Sequence, residues 1–250
     1  YVQMGMQRDY MTEDQRFAAR RPDVLVYQTE PLDDDLTVLG PIKVTLHLST
    51  TGTDSDFVVK VVDVYPATYP QPEWTGPAPR PANYVRVGGY QQLVRGEPFR
   101  GKFRRSFEKP EPFVPGQPDL LEFEMPDVAH TFRAGHRLMV QVQSSWFPLT
   151  DRNPQTFTDI PSAKPGEFRK ATQRIFRSAA RPSSITLLVE APGRRIRPWR
   201  QAPARHETPA PCETPGSSGA AIADPGSASR APHRAGRATL ATAPRPPAAL

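Results

Sequence analysis

Between Ile42 and Ser49 apolar and polar residues alternate without a break. Ile42, Val44, Leu46 and Leu48 fall on one side, and Lys43, Thr45, His47 and Ser49 on the other. A period of two residues marks a strand with one face in a core and one toward water. The stretch FVVKVVDVY (57–65) differs: it is β-branched and almost continuously apolar, as in a strand covered on both faces. DVLVYQT (23–29), YVRVGGYQQLV (84–94), DLLEFEM (119–125), HRLMVQVQSSW (136–146) and SITLLVE (183–189) complete seven predicted strands. Proline-rich segments such as PATYPQPEWTGPAPRPAN (66–83) and EKPEPFVPG (108–116) separate them; proline ends strands and stiffens long connections. Helical spacing is confined to MTEDQRFAARR (11–21), where Thr12 is placed to cap it, and GEFRKATQRIFRS (166–178). Many short strands with long loops predict an all-β fold over 23–190, an antiparallel β-sandwich of jelly-roll type. Val44, Leu46, Val59, Val61, Leu121, Phe123, Met139, Val140 and Leu187 are among its predicted buried positions. A slip of one residue in register would turn a strand inside out.

Charge separates this region from the last 60 residues. Up to Glu190 there are 23 Lys+Arg and 23 Asp+Glu; from Ala191 onward there are 9 Arg, no Lys and 3 acidic residues. The whole formal charge of +6 therefore lies in the tail. The high isoelectric point describes that tail, and the charge-balanced remainder predicts no nucleic-acid partner. Ala, Pro, Gly and Arg fill 40 of the 60 tail positions, and no apolar periodicity appears. Such a composition cannot offset the entropy of ordering, so 191–250 is expected to be disordered. Three origins fit it: a GC-rich gene read out of frame, a flexible linker, or an arginine-rich binding tail lacking aromatic or RGG spacing. The one cysteine, Cys212, lies in the tail, so neither a disulfide framework nor a thiolate metal site is expected. With no run of 18 apolar residues, no membrane span is predicted. The opening YVQMGMQRDYMTEDQ is polar, shows no signal peptide and has no initiator methionine, and localisation is not legible from it.

QSSWFPLTDRNPQT (143–156) holds the residue types of a hydrolytic site: Ser144, Ser145 and Asp151, with His136 upstream. Closeness in sequence does not make a triad, which is defined by geometry. The serines lack the G-x-S-x-G elbow, and the nearest match, GSSGA (216–220), ends in alanine within the tail. No phosphate-binding glycine loop and no H-E-x-x-H pattern occurs, so no catalytic residue, metal or cofactor is assigned. Asp54 and Asp56 in TDSDF (53–57) lack a third ligand and read as a capped turn, while Asp33, Asp34 and Asp35 read as a solvated loop. His47 should face away from the core, and His130 and His136 bracket a turn; no partner for the three is legible. Asp151 or Asn153 can close an Asx-turn, Pro154 holds Asn153 extended, and Arg152 can pin the loop through a carboxylate or carbonyl. Trp146 and Phe147 are apolar anchors suited to a core or domain interface.

Four separated stretches, in order, resemble one family: EDQRFAARRPDVLVYQTEPL (13–32), TGTDSDFVVKVVDVYP (51–66), GGYQQLVRGEPFRGKFRRSFEKPEPFVPG (88–116) and HTFRAGHRLMVQVQSSWFPLTDRNPQT (130–156). They are similar to the C-terminal domain of Xaa-Pro dipeptidyl-peptidase and cocaine esterase-like serine hydrolases. Within that family they are nearest the α-amino acid ester hydrolase and glutaryl-7-aminocephalosporanic acid acylase-like branch. The resemblance implies a galactose-binding-like jelly roll that packs on an upstream α/β-hydrolase domain carrying the triad. It also implies that 1–22 is a linker from that domain, 23–190 the jelly roll and 191–250 an added tail. A homo-oligomer in the intact enzyme and a periplasmic or secreted location would follow from the same branch. Tyr65, Tyr69, Trp74, Trp146 and Phe147 are then the expected substrate-rim or domain-interface residues, and Asp151, Arg152, Asn153 and Pro154 a structural loop. An exposed apolar patch is expected around 6–17 and 65–74. The alternative is a free-standing ligand- or carbohydrate-binding module, in which the aromatics of YPATYPQPEW (65–74) could stack on sugars.

Overall fold

The computed structural model describes residues 13–73, 75–76 and 86–190, together with the backbone of 236–241. Its strands are β1 (Val24–Gln28), β2 (Leu36–Thr50), β3 (Asp56–Val64), β4 (Gln91–Arg100), β5 (Asp119–Phe132), β6 (Arg137–Gln143), β7 (Gln173–Ile175), β8 (Arg177–Ser178), β9 (Arg181–Pro182), β10 (Ser184–Val189) and β11 (Gly236–Ala241). They form two antiparallel sheets, ordered β1-β6-β3-β4 and β11-β10-β2-β5; β7 pairs with the end of β2, and β8 and β9 make a small separate ladder. Inner faces of the two sheets meet in one core. Val44, Leu46 and Leu48 of β2 and Leu121, Phe123 and Met125 of β5 pack there against Phe57, Val59 and Val61 of β3 and Leu138 and Val142 of β6.

Most predicted buried positions are buried; Val140 is partly covered and packs against the core, whereas its neighbour Met139 is buried on the opposite face of the sheet. The runs 119–125 and 42–49 extend beyond their predicted ends because a bulge absorbs their prolines. Gly40 pairs with Val128 and Ile42 with Met125, so Pro41 and Pro126 sit at the register break, where no ladder hydrogen bond is asked of them. Gly40 takes φ 96° there, a left-handed value that suits glycine. Of the predicted strand 84–94, positions 84 and 85 lie outside the described residues, 86–90 are not strand, and β4 starts at Gln91 after a turn closed by Tyr90 N–H donating to the Val87 carbonyl at 2.9 Å. It tolerates Pro98 because β4 is the edge of its sheet.

The helix predicted over 166–178 does not form. A 3-10 turn spans Pro165–Glu167, and Ile175 pairs with Leu48 of β2, so tertiary pairing overrides local helical spacing. The other predicted helix reduces to one turn, α1 (Arg16–Ala19), preceded by Gln15 without a side-chain cap, and Thr12 lies outside the described residues. The disorder expected for the tail concerns 191–235 and 242–250, which also lie outside them. Within the tail, Gly236–Ala241 depart from that expectation by pairing along β10, whose outer edge would otherwise present unpaired backbone groups.

Candidate functional site

β3 is buried on both sides, as its almost continuously apolar run predicts, but by different means. Its outward-facing residues belong to a cross-strand row running Val26, Gln141, Lys60, Gly96 through β1, β6, β3 and β4. Lys60 and Gln141 are fully buried although they point away from the core. The cover is the chain before β1, a strap of residues 13–20 lying across the sheet, together with Trp146. Gln15 is the centre of the strap. Its Oε1 accepts from Lys60 Nζ at 3.0 Å, its carbonyl accepts from Gln141 Nε2 at 3.4 Å, and its N–H donates to the Gln91 carbonyl at 2.9 Å. Lys60 Nζ also lies 4.6 Å from the Trp146 ring centre. Burial, aided by the nearby Arg21 charge, lowers the Lys60 ammonium to a pKa of about 8. A Cβ on Gly96 would come within 2.5 Å of the Trp146 ring, so glycine there is what lets the indole approach the strand this closely.

At the rim of this cover, large apolar groups stay in solvent. Phe17 is 53% and Phe147 54% exposed, and Val26 at the sheet edge 36%. The Arg152 guanidinium stands 4.9 Å over the Phe147 ring, in place of the predicted carboxylate or carbonyl partner. Asp151 pairs instead with Arg100 at 3.7 Å. Asn153 and Pro154 are buried, and Asn153 ties its loop to the start of β3 by donating from Nδ2 to Asp56 Oδ1 at 2.7 Å. Its own Oδ1 accepts from Gln155 N–H at 2.8 Å, which closes the Asx-turn. Burial raises Asp56 to a pKa of about 6 against the opposing Asn153 hydrogen bond, and raises the neighbouring Asp54 as well.

The serine, histidine and aspartate of this segment do not assemble. His136 is buried and its Nδ1 bonds to Asp63 Oδ1 at 2.8 Å, while Asp151 is exposed beside Arg100. Asp63, which no local pattern singles out, also takes His130 Nε2 on its other oxygen at 2.9 Å. One buried carboxylate thus joins β3 and the turn before β6 of one sheet to β5 of the other. Tyr65 packs tilted against His136 with centroids 4.5 Å apart, and Tyr69 and Tyr90 pack edge-on to Tyr65 at 4.9 and 5.9 Å. The five expected rim residues therefore do not share one patch: Tyr65 and Tyr69 lie at the C-terminal end of β3, whereas Trp146 and Phe147 follow β6 near the N-terminal end of β3. Trp74 lies outside the described residues. Among the described residues, no group of three or more His, Cys, Asp and Glu is placed to hold a metal, and no helix is long and apolar enough to cross a membrane.

Comparison with known proteins adds ancestry to this geometry. Residues 7–186 match the family described as the X-Pro dipeptidyl-peptidase C-terminal non-catalytic domain. Cocaine esterase of Rhodococcus sp. (strain MB1 Bresler) is 33% identical over 176 residues, covering 70% of this chain and 27% of the esterase. A putative serine esterase of Mycobacterium bovis is 26% identical over 182 residues, covering 70% of this chain and 25% of its own length. Among solved structures, an α-amino acid ester hydrolase is 47% identical with a TM-score of 0.64, over 72% of this chain and 28% of that one. An aminopeptidase from a marine sediment Thaumarchaeota archaeon is 44% identical with the same TM-score, 0.64, and the same coverage of 72% and 28%. The chain spans about a quarter of the length of the curated relatives it matches.

Proposed function

The chain belongs to the X-Pro dipeptidyl-peptidase C-terminal non-catalytic domain family, and from that premise we propose that it is the accessory sandwich of a serine hydrolase acting on α-amino acid esters or peptides. The observation that carries this reading is the match to little more than a quarter of each larger enzyme, combined with a description that excludes catalysis. An acyl-transfer site needs an activated nucleophile, a base and oxyanion donors, and these belong to the remainder of the parent enzyme. What this chain contributes is a surface. Phe17, Phe147 and the edge of β1 ring the covered outer face of the β1-β6-β3-β4 sheet, and exposed apolar groups gathered at one place suit a neighbouring domain. The partner is the α/β-hydrolase domain that precedes this one in the parent enzyme.

The test is direct. The purified chain should hydrolyse neither an α-amino acid methyl ester nor a p-nitrophenyl ester, beside a control carrying Ser144→Ala and Ser145→Ala. Turnover that disappears in the control would make the local serines nucleophiles and overturn the reading.

A further inference from the structure

The strap before β1 reads in the sequence as the end of a linker, yet it is among the most tightly held polar segments of the fold. Gln15 is 1% and Ala18 2% exposed. Four hydrogen bonds with the sheet converge on two consecutive residues. Besides the Lys60, Gln141 and Gln91 bonds to Gln15, the Asp14 carboxylate accepts the Gln91 N–H at 3.3 Å and pairs with the Arg16 guanidinium. The bonds reach β3, β4 and β6, so three of the four strands of the sheet grip the same turn of chain. Nothing in the sandwich core requires this. Val58, Val62 and Met139 beneath the strap are buried, yet they stand apart from the main apolar cluster. A purely apolar cover would have served them. A long side chain with a cationic tip, standing out of the middle of β3, serves a different purpose: it presents a directional donor that only a correctly seated partner satisfies.

We infer that residues 14–18 form a latch, with Gln15 as its bolt and Lys60 as its keeper, which makes the joint to the preceding chain rigid in place of a flexible tether. The family match, which begins at residue 7, supports counting the strap within the domain. This inference deepens the accessory-domain reading: a rigid joint holds Phe17 and Phe147 at a fixed attitude toward the catalytic partner. Gln15 is then a positioning residue. A free tether would let the two bodies sample many orientations, whereas a latched joint concentrates them in one.

Hydrogen–deuterium exchange of the full chain, read by mass spectrometry on peptides covering 13–22, tests the latch without any second domain. In the wild type these amides should exchange as slowly as partly protected strand edges. Gln15→Ala should speed them by about tenfold or more while peptides from β3 and β6 stay within about twofold. Gln15→Glu, whose carboxylate still accepts from Lys60 Nζ, should restore the protection. Free exchange of 13–22 in the wild type, or equal exchange in Gln15→Ala, would overturn the inference. So would a Gln15→Glu variant as open as Gln15→Ala. Loss of the docking reading would leave all of these results unchanged, because the sample holds no catalytic domain.

Discussion

The two faces of β3 bury the same strand by opposite means. Inward, Phe57, Val59 and Val61 meet the facing sheet through apolar contact, and the polar tie from Asp63 to His130 stands near the end of the strand. Outward, Val58, Lys60 and Val62 are equally buried, but their cover is a single turn of chain, one indole and a buried amine with its hydrogen bond. Apolar packing is non-directional and tolerates many partners of the right volume, whereas a buried donor accepts only a partner that completes it. The inner face therefore holds the domain together, and the outer face decides what lies against it. Substitutions should separate these two roles.

The largest effect belongs to the inner face. Phe57→Ala removes a fully buried ring that packs edge-on to Phe113 at 6.3 Å, and should cost about 3–5 kcal/mol of unfolding free energy by urea titration. A cost near that of a surface change would put the core elsewhere. Next comes the loop. Asn153→Ala leaves the buried Asp56 carboxyl without its donor and opens the Asx-turn, for a loss of about 1–3 kcal/mol. Asp56 also imposes a pH dependence. Its folded pKa of about 6 lies above the ordinary 3.8, so the folded state holds the proton more tightly; stability should fall as pH rises from about 4 to 6. Arg100, Lys102 and Asp54 face the same carboxyl, and Asp56→Asn should flatten that slope. A slope unchanged in Asp56→Asn would assign it to other groups.

Lys60 gives a smaller and oppositely placed signal. Its folded pKa of about 8 lies below the ordinary 10.5, so the unfolded chain binds the proton more tightly between those values. Its contribution to stability should rise with pH from about 8 toward 10. Arg21 is the charged neighbour that works in the same direction as burial. Lys60→Met combined with Gln15→Leu should lie within about 1 kcal/mol of the wild type at pH 7, because it trades a desolvated cation and its acceptor together for apolar chains of similar reach, and should abolish the rise. A rise retained in this double variant would remove Lys60 as its source. The smallest effect on stability is expected at the rim. Phe147→Ser should change unfolding by no more than about 0.5 kcal/mol, and a larger loss would mark Phe147 as part of the fold and not of a docking surface.

The range of each interaction decides whether the sequence reveals it. β2 is legible because Ile42, Val44, Leu46 and Leu48 alternate over neighbouring positions, and the double burial of β3 because its run is almost continuously apolar. The segment 166–178 is not, since Arg169, Lys170, Gln173 and Arg174 suit a helix until Ile175 finds Leu48 on the edge of β2. The polar constellations are hidden for the same reason. Lys60 meets Gln15 across 45 residues, His136 meets Asp63 across 73, and Asn153 meets Asp56 across 97. Local patterning carries no record of such pairs. The four family-like stretches do mark three of these regions, but as a resemblance and without their contacts. His136 beside two serines suggests a reaction, whereas its ring is committed to Asp63 and Tyr65.

Whether this chain completes a catalytic domain is open to direct measurement. The 47%-identical α-amino acid ester hydrolase, truncated of the 28% of its length that matches this chain, would be expressed with the chain as a separate polypeptide. The predicted result is a co-purifying pair that hydrolyses an α-amino acid ester, with the chain alone inactive and Phe147→Ser weakening the association. A chain that neither co-purifies with the truncated hydrolase nor raises its activity or thermal stability would contradict the account.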